Sequence, residues 1–134
     1  MIEILKGCRE FGDTVVLYPQ NYINGIEGEK LEEVCETFFA KGIKKFVIDF
    51  SETDIINSIG VSILIGIIEK IKESKGVVLF SGLSKVNLEV FRIVGLTKLI
   101  PSFATEAGAL EEMGATGTPL APSAPGGVSI ERTP

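Results

Sequence analysis

The chain contains no histidine and no tryptophan, only two cysteines, and few aromatic residues. Without histidine, Ser-His-Asp and Cys-His catalysis, imidazole-based metal sites and imidazole acid–base chemistry are excluded. A serine hydrolase built on Ser58 would need a lysine base, and no Ser-x-x-Lys pattern begins there. Cys8 and Cys35 are too few for a disulfide framework, and structural zinc typically takes four N/S ligands. Cys35 falls on an apolar helical stripe, where a thiol acts as a small buried hydrophobe, so a reducing compartment is expected. No Lys/Arg cluster is present and the formal net charge is −5, which argues against nucleic acid and against an anionic membrane as partners. The most apolar window, Ile59 to Ile68, is far shorter than the roughly 20 residues of a membrane span. The N-terminal Met-Ile-Glu-Ile-Leu-Lys lacks a basic region followed by a long apolar stretch, so no secretory signal is read and a cytoplasmic location is expected. Gly-x-Gly-x-x-Gly is absent, and Gly60 to Gly66 is not followed by Lys-Ser/Thr, so no phosphate-cradling loop is found. No cofactor and no metal are expected.

What is present is a single domain's worth of sequence, 134 residues with 45% apolar residues. Ile2 to Cys8 and Thr14 to Tyr18 read as two short strands about a turn at Phe11-Gly12-Asp13, and Pro19 stops the second. Gln20 to Gly28 reads as a polar, Gly-containing loop. Leu31, Val34, Cys35, Phe38 and Phe39 recur at helical spacing opposite Glu29, Glu32, Glu33 and Glu36, and Gly42 stops that helix. Phe46 to Phe50 is a strand covered on both faces. The β-branched run through Ile63, Ile65, Ile67 and Ile68 scores as strand by propensity, but its length, from about Gly60 to Ser74, decides for a helix buried on most sides near its start. Val77 to Phe80 is a further strand. Ser84 caps a helix closed by Gly95, Leu99-Ile100 is a candidate final strand, and Thr105 caps a last helix through Met113. Two strands followed by alternating helices and strands predict an α/β fold: a four- to five-stranded mixed sheet with helices mainly on one face. From Gly114 onward Pro119, Pro122, Pro125, Pro134 and Gly126-Gly127 preclude a packed element, so 1–113 is the domain and 114–134 a flexible tail, either a spacer or a docking motif.

Asn57-Ser58-Ile59-Gly60 lies between the strand Phe46–Phe50 and the long apolar helix. A serine at a helix N-terminus sits beside unpaired amides and the positive end of the dipole, where a phosphate is stabilised. Asn and Ser are also common helix caps, so two readings of Asn57-Ser58 stand: a cap alone, or a phosphorylation site. Ser62, one turn on, reads as a small packing residue, and Asp49 as a carboxylate held by amides at the strand end rather than a catalytic group.

In order and spacing, residues 2 to 113 resemble the STAS domain of bacterial anti-sigma-factor antagonists. The family's strand ending Asp-Leu-Ser, its short loop, its Asp-Ser-Ser-Gly and its apolar helix correspond to Asp49-Phe50-Ser51, Glu52 to Ile56, and Asn57-Ser58-Ile59-Gly60-Val61. Phe80-Ser81-Gly82-Leu83, Gly95-Leu96 and Thr105-Glu106 through Leu110 are similar to later family features. Asn57 stands in place of the usual Asp and Ile59 in place of a second small residue, and the loop before the first helix lacks the usual Gly-x-Leu-Asp. The resemblance implies a non-enzymatic binding module. It would sequester an anti-sigma-factor serine kinase, thereby freeing a sigma factor for transcription. Phosphorylation of Ser58 by that kinase would release it, and a serine phosphatase would reset it. The implied partner surface comprises Asn57, Ser58, Ile59, Gly60 and Ser62 with Asn21 and Asn24. A STAS scaffold subunit of a stress-sensing or lipid-transport complex, without a phospho-switch, is the alternative.

Overall fold

The computed structural model describes residues 5–115. The chain forms β1 (Leu5–Phe11), β2 (Thr14–Pro19), β3 (Asn21–Ile23), α1 (Gly25–Ala40), β4 (Lys45–Asp49), β5 (Thr53–Ile56), α2 (Ser58–Glu73), β6 (Val77–Ser81), α3 (Lys85–Ile93), α4 (Leu96–Leu99), β7 (Ser102–Phe103) and α5 (Glu106–Ala115). A five-stranded mixed sheet runs in the order β1-β2-β4-β6-β7. Its first pair is antiparallel, joined through Gly12 at positive φ, and the remaining pairs are parallel.

Side chains alternate across this sheet with period two. Val15, Leu17, Phe46, Ile48, Val78 and Phe80 face a large core shared with α1, α2, α3 and α4. Val16, Val47 and Leu79 face the other side, where Ala109, Leu110 and Met113 of α5 cover them. The helices therefore lie mainly on one face, as the element order predicts. Phe50, Phe80 and Phe91 meet edge to face with ring centroids 5.3–5.5 Å apart, tying α3 to the C-terminal ends of β4 and β6. On the far face, Glu106 of α5 accepts a 2.7 Å hydrogen bond from the Tyr18 hydroxyl and pairs with Arg9 at 3.0 Å. Burial and the Glu106 carboxylate push the Tyr18 hydroxyl well above its ordinary pKa.

The long β-branched run is a helix, α2, with Val61, Leu64, Ile67, Ile68 and Ile71 buried. Its start is less enclosed than the apolar girdle suggests, because Ile59 and Ser62 face outward. Cys35 is buried as expected, and desolvation pushes its thiol up to about 12.

Four readings need correction. Gln20 to Gly28 is not a loop: Asn21–Ile23 pairs in parallel with Thr53–Ile56 as a second, two-stranded sheet, and α1 already begins at Gly25. Gly28 is in the helix because a Cβ there would sit 3.1 Å from Cδ1 of Ile63, so glycine lets α1 approach α2. Leu99-Ile100 is not the final strand. Leu96–Leu99 makes a helical turn after Gly95, Ile100 plugs the core, and pairing with β6 begins where the Phe80 amide donates to the Pro101 carbonyl at 3.0 Å. The first strand runs on past Cys8 to Phe11, and its expected start at Ile2 lies outside the described residues. Gly114 and Ala115 complete α5, and the segment expected to be a tail lies beyond them outside the described residues.

Candidate functional site

The segment from Phe50 to Gly60 leaves the C-terminal end of β4, makes β5 and turns into α2. Its start is held by Asp49. That buried carboxylate accepts from the Ser51 amide (3.0 Å), the Ser51 hydroxyl (2.5 Å) and the Ser81 hydroxyl (2.6 Å). Sequence reasoning anticipated backbone amides; one amide and two hydroxyls hold the carboxylate. Gly82, at φ +70, lies so close that a Cβ there would meet the Ser51 amide at 3.0 Å.

Further along, the Thr53 hydroxyl donates to the Pro19 carbonyl at 2.6 Å, and β5 pairs with β3 so that Tyr22 lies opposite Ile55 and Ile23 opposite Ile56. The Asn57 amide then donates to the Ile23 carbonyl at 3.1 Å. Asn57 is the N-cap of α2: its backbone is extended, and its Oδ1 accepts from the Gly60 amide at 2.8 Å. Its Nδ2 donates to the Tyr22 hydroxyl at 3.3 Å. With Asn57 serving as cap, Ser58 becomes the first helical residue and is exposed. The first turn of α2 contains no acidic side chain, so nothing on the helix itself offsets the positive end of its dipole.

Each predicted site residue can now be placed. Asn57, Ser58 and Ile59 lie together at the start of α2, and Ser62 is exposed one turn on rather than packed. Gly60 is buried and does not reach the surface. Its role is close packing, since a Cβ would stand 2.5 Å from the Ile23 carbonyl oxygen. Asn21 is exposed at φ 60, and its amide donates to the Glu52 carbonyl. Asn24 caps α1, its Oδ1 accepting from the Glu27 amide at 3.0 Å. It flanks the site, but as a structural cap.

Sequence reasoning missed the apolar part of the site. Tyr22 (48% exposed), Ile26 (65%) and Ile55 (48%) join Ile59 (58%) as large apolar side chains left open to solvent on the small sheet and at the starts of α1 and α2. Tyr22 and Ile55 are cross-strand neighbours of the small sheet, and Gly25 beside Ile26 lies against Ile59. The available signal was the adjacent pair Tyr22-Ile23, of which an extended segment can turn only one inward: Ile23 is buried and Tyr22 exposed. Such a cluster at a polar helix start has the make-up of a protein-docking surface. Among the described residues, no group of three or more Cys, Asp or Glu side chains is arranged to hold a metal ion, and no helix is long and apolar enough to cross a membrane.

Comparison with known proteins agrees with the fold. A putative anti-sigma factor antagonist from Thermotoga maritima matches with a TM-score of 0.74 and 21% identity over 79% of this chain and 92% of its own. The Bacillus cell fate determinant SpoIIAA in its phosphorylated form matches with a TM-score of 0.62 and 20% identity over 81% and 96%. A sulfate transporter family protein from Wolinella succinogenes matches with a TM-score of 0.70 and 15% identity over 78% and 87%. At these identities the likeness concerns the fold. No curated protein matches the chain. The family model of the STAS domain matches residues 7–109, and the chain belongs to that family.

Proposed function

We propose that this chain is an anti-sigma-factor antagonist, a binding module that sequesters an anti-sigma serine kinase and is switched off by phosphate on Ser58. One observation carries the reading: Ser58 is exposed at the start of α2, whose first turn holds no acidic side chain, next to the exposed Ile59 and on the same segment as the exposed Ile55, with the exposed Tyr22 paired to Ile55 and bonded to Asn57. These exposed apolar side chains supply the area that a partner buries, and the serine supplies a point at which charge can be added beside it. A phosphate adds roughly −1.5 to −2 charge. Close packing of a partner on Ile59 and Ile55 would strip water from that charge, whereas in the free protein it stays solvated at a favourable helix end. Binding and phosphorylation therefore oppose each other. The chemistry resides in the partners, a kinase that adds the phosphate and a phosphatase that removes it, and this chain acts as ligand and substrate rather than enzyme.

The test is to incubate the protein with its cognate kinase and ATP, then record the intact mass and map any increment by fragmentation. One phosphate on Ser58 is the expected result. Stable kinase binding without any phosphate transfer would overturn the switch.

A second reading, a STAS scaffold subunit with a constitutive interface, is favoured by two features. The fold is shared with a sulfate transporter family protein, and Asn57 and Ile59 stand where antagonists carry Asp and a small residue. Ile59 adds apolar area to the interface but brings no group that aids transfer of a phosphate.

A further inference from the structure

Five polar or charged side chains are buried among the described residues: Thr14, Asp49, Thr53, Ser81 and Asn87. All but Thr14 converge on the segment that delivers Ser58. Asp49 and Ser81 hold its beginning at Ser51, and Thr53 anchors it to Pro19. Asn87 comes from α3, far along the chain, and is only 2% exposed. Its Nδ2 donates to the Asp54 carbonyl at 3.2 Å and makes a longer contact, 3.5 Å, to the Thr53 carbonyl.

These carbonyls belong to β5, whose other neighbour is β3. The Asn87 amide thus ties α3 to the backbone of β5, which pairs with no strand but β3 among the described residues. It is itself fixed at the capped start of α3, where its backbone amide donates to the Ser84 hydroxyl at 3.1 Å. An apolar residue would seat α3 in the core equally well. A buried amide is tolerated only while its acceptors stay in reach, so seating α3 and fixing β5 become one event. β5 in turn places Asn57 at both the Ile23 carbonyl and the Gly60 amide, and so sets the direction in which Ser58 is presented.

We infer that Asn87 is a positioning residue for the phospho-acceptor segment, acting through β5 and without touching Ser58. The inference rests on the phospho-switch reading for its functional consequence but not for its structural one, and the test separates the two. Asn87→Leu removes the donors while keeping apolar bulk. Leu110→Ala, in the separate core under α5, serves as a control that lowers global stability without touching β5. In the full-length protein, amide exchange at Ile56 and Asn57 is expected to quicken about tenfold in Asn87→Leu relative to Leu110→Ala, both compared at equal distance from their unfolding midpoints. The specificity constant for phosphorylation of Ser58 by the cognate kinase is expected to fall about tenfold, mainly through KM, because the acceptor is presented correctly less often. Should Asn87→Leu not fold, Asn87→Ala is read in the same way. Exchange and kinetics indistinguishable from those of Leu110→Ala would overturn the inference. If the wild-type chain accepts no phosphate while Asn87→Leu still loosens β5, the positioning role stands and the phospho-switch fails.

Discussion

Asn24-Gly25-Ile26-Glu27 and Asn57-Ser58-Ile59-Gly60 open two helices of 16 residues each. The helices lie side by side and run the same way: Gly25 sits against Ile59, Gly28 against Ile63, and the Lys70 ammonium reaches Glu32 and Glu36. Both caps are asparagines bonded to the third amide of their helix, and both place an exposed isoleucine at the second position. They differ at the third position. Helix α1 has Glu27, a negative charge in its own first turn, whereas α2 has Gly60. The glycine is forced, because the Ile23 backbone approaches too closely for any Cβ. Packing therefore denies α2 the carboxylate that completes α1, and leaves an exposed serine at an open dipole. One cap is finished by its own sequence, while the other remains able to take an anion.

The largest expected effect concerns charge on the open cap. Ser58→Asp should stay folded but weaken binding to the cognate kinase more than a hundredfold, about 3 kcal/mol, because an unpaired charge must be buried. Ser58→Ala should bind persistently. Isothermal titration of both variants decides the matter, and equal affinities would leave the two caps functionally alike.

Next comes the attempt to make α2 resemble α1. Gly60→Ala brings a methyl group against the Ile23 carbonyl, and urea unfolding should show a loss of roughly 1–3 kcal/mol. Glu27→Ala, the mirror change in α1, should cost no more than about 1 kcal/mol, since it removes only a dipole partner. Similar losses at the two positions would refute the packing explanation for the glycine.

Removing either cap should matter about equally. Asn24→Ala and Asn57→Ala are each expected to lose about 1 kcal/mol in the same assay. Only Asn57→Ala should also disturb Ser58 phosphorylation, since Asn24 caps the neighbouring helix.

The smallest effect is that of the phosphate on the fold. Phosphorylated Ser58 should raise stability by about 0.3–1 kcal/mol at low salt, and this gain should shrink as ionic strength rises. Thermal melts of the two forms at low and high salt would detect it. A marked destabilisation would mean that Ser58 is not at an open helix end.

Which parts of this were legible beforehand follows from how local each signal is. The long helix α2 was readable because its apolar run outlasts any strand, even though its isoleucines favour strand. Asn57 and Ser58 were readable because capping chemistry is confined to a few neighbouring residues. β3 and β5 were not, being only three and four residues long. Each exists only because the other lies beside it. Gly60 was misread as surface because a glycine looks the same in sequence whether it is exposed or pressed against another backbone. The exposure of Tyr22, Ile26 and Ile55 was missed for a related reason, as apolar residues in short segments ordinarily point inward.

By itself the sequence determined the α/β order of elements, the two-faced central strands, the long helix read from about Gly60, and the exclusion of histidine chemistry. These depend on periodicity, length and composition, which act between near neighbours. Tertiary structure alone decided that the ends of α1 and α2 stand side by side, that Gly60 must lack a side chain, and that Asn87 ties α3 to the backbone of β5. Those outcomes depend on which distant backbone atoms come within bonding or contact distance, and only the folded chain sets such distances.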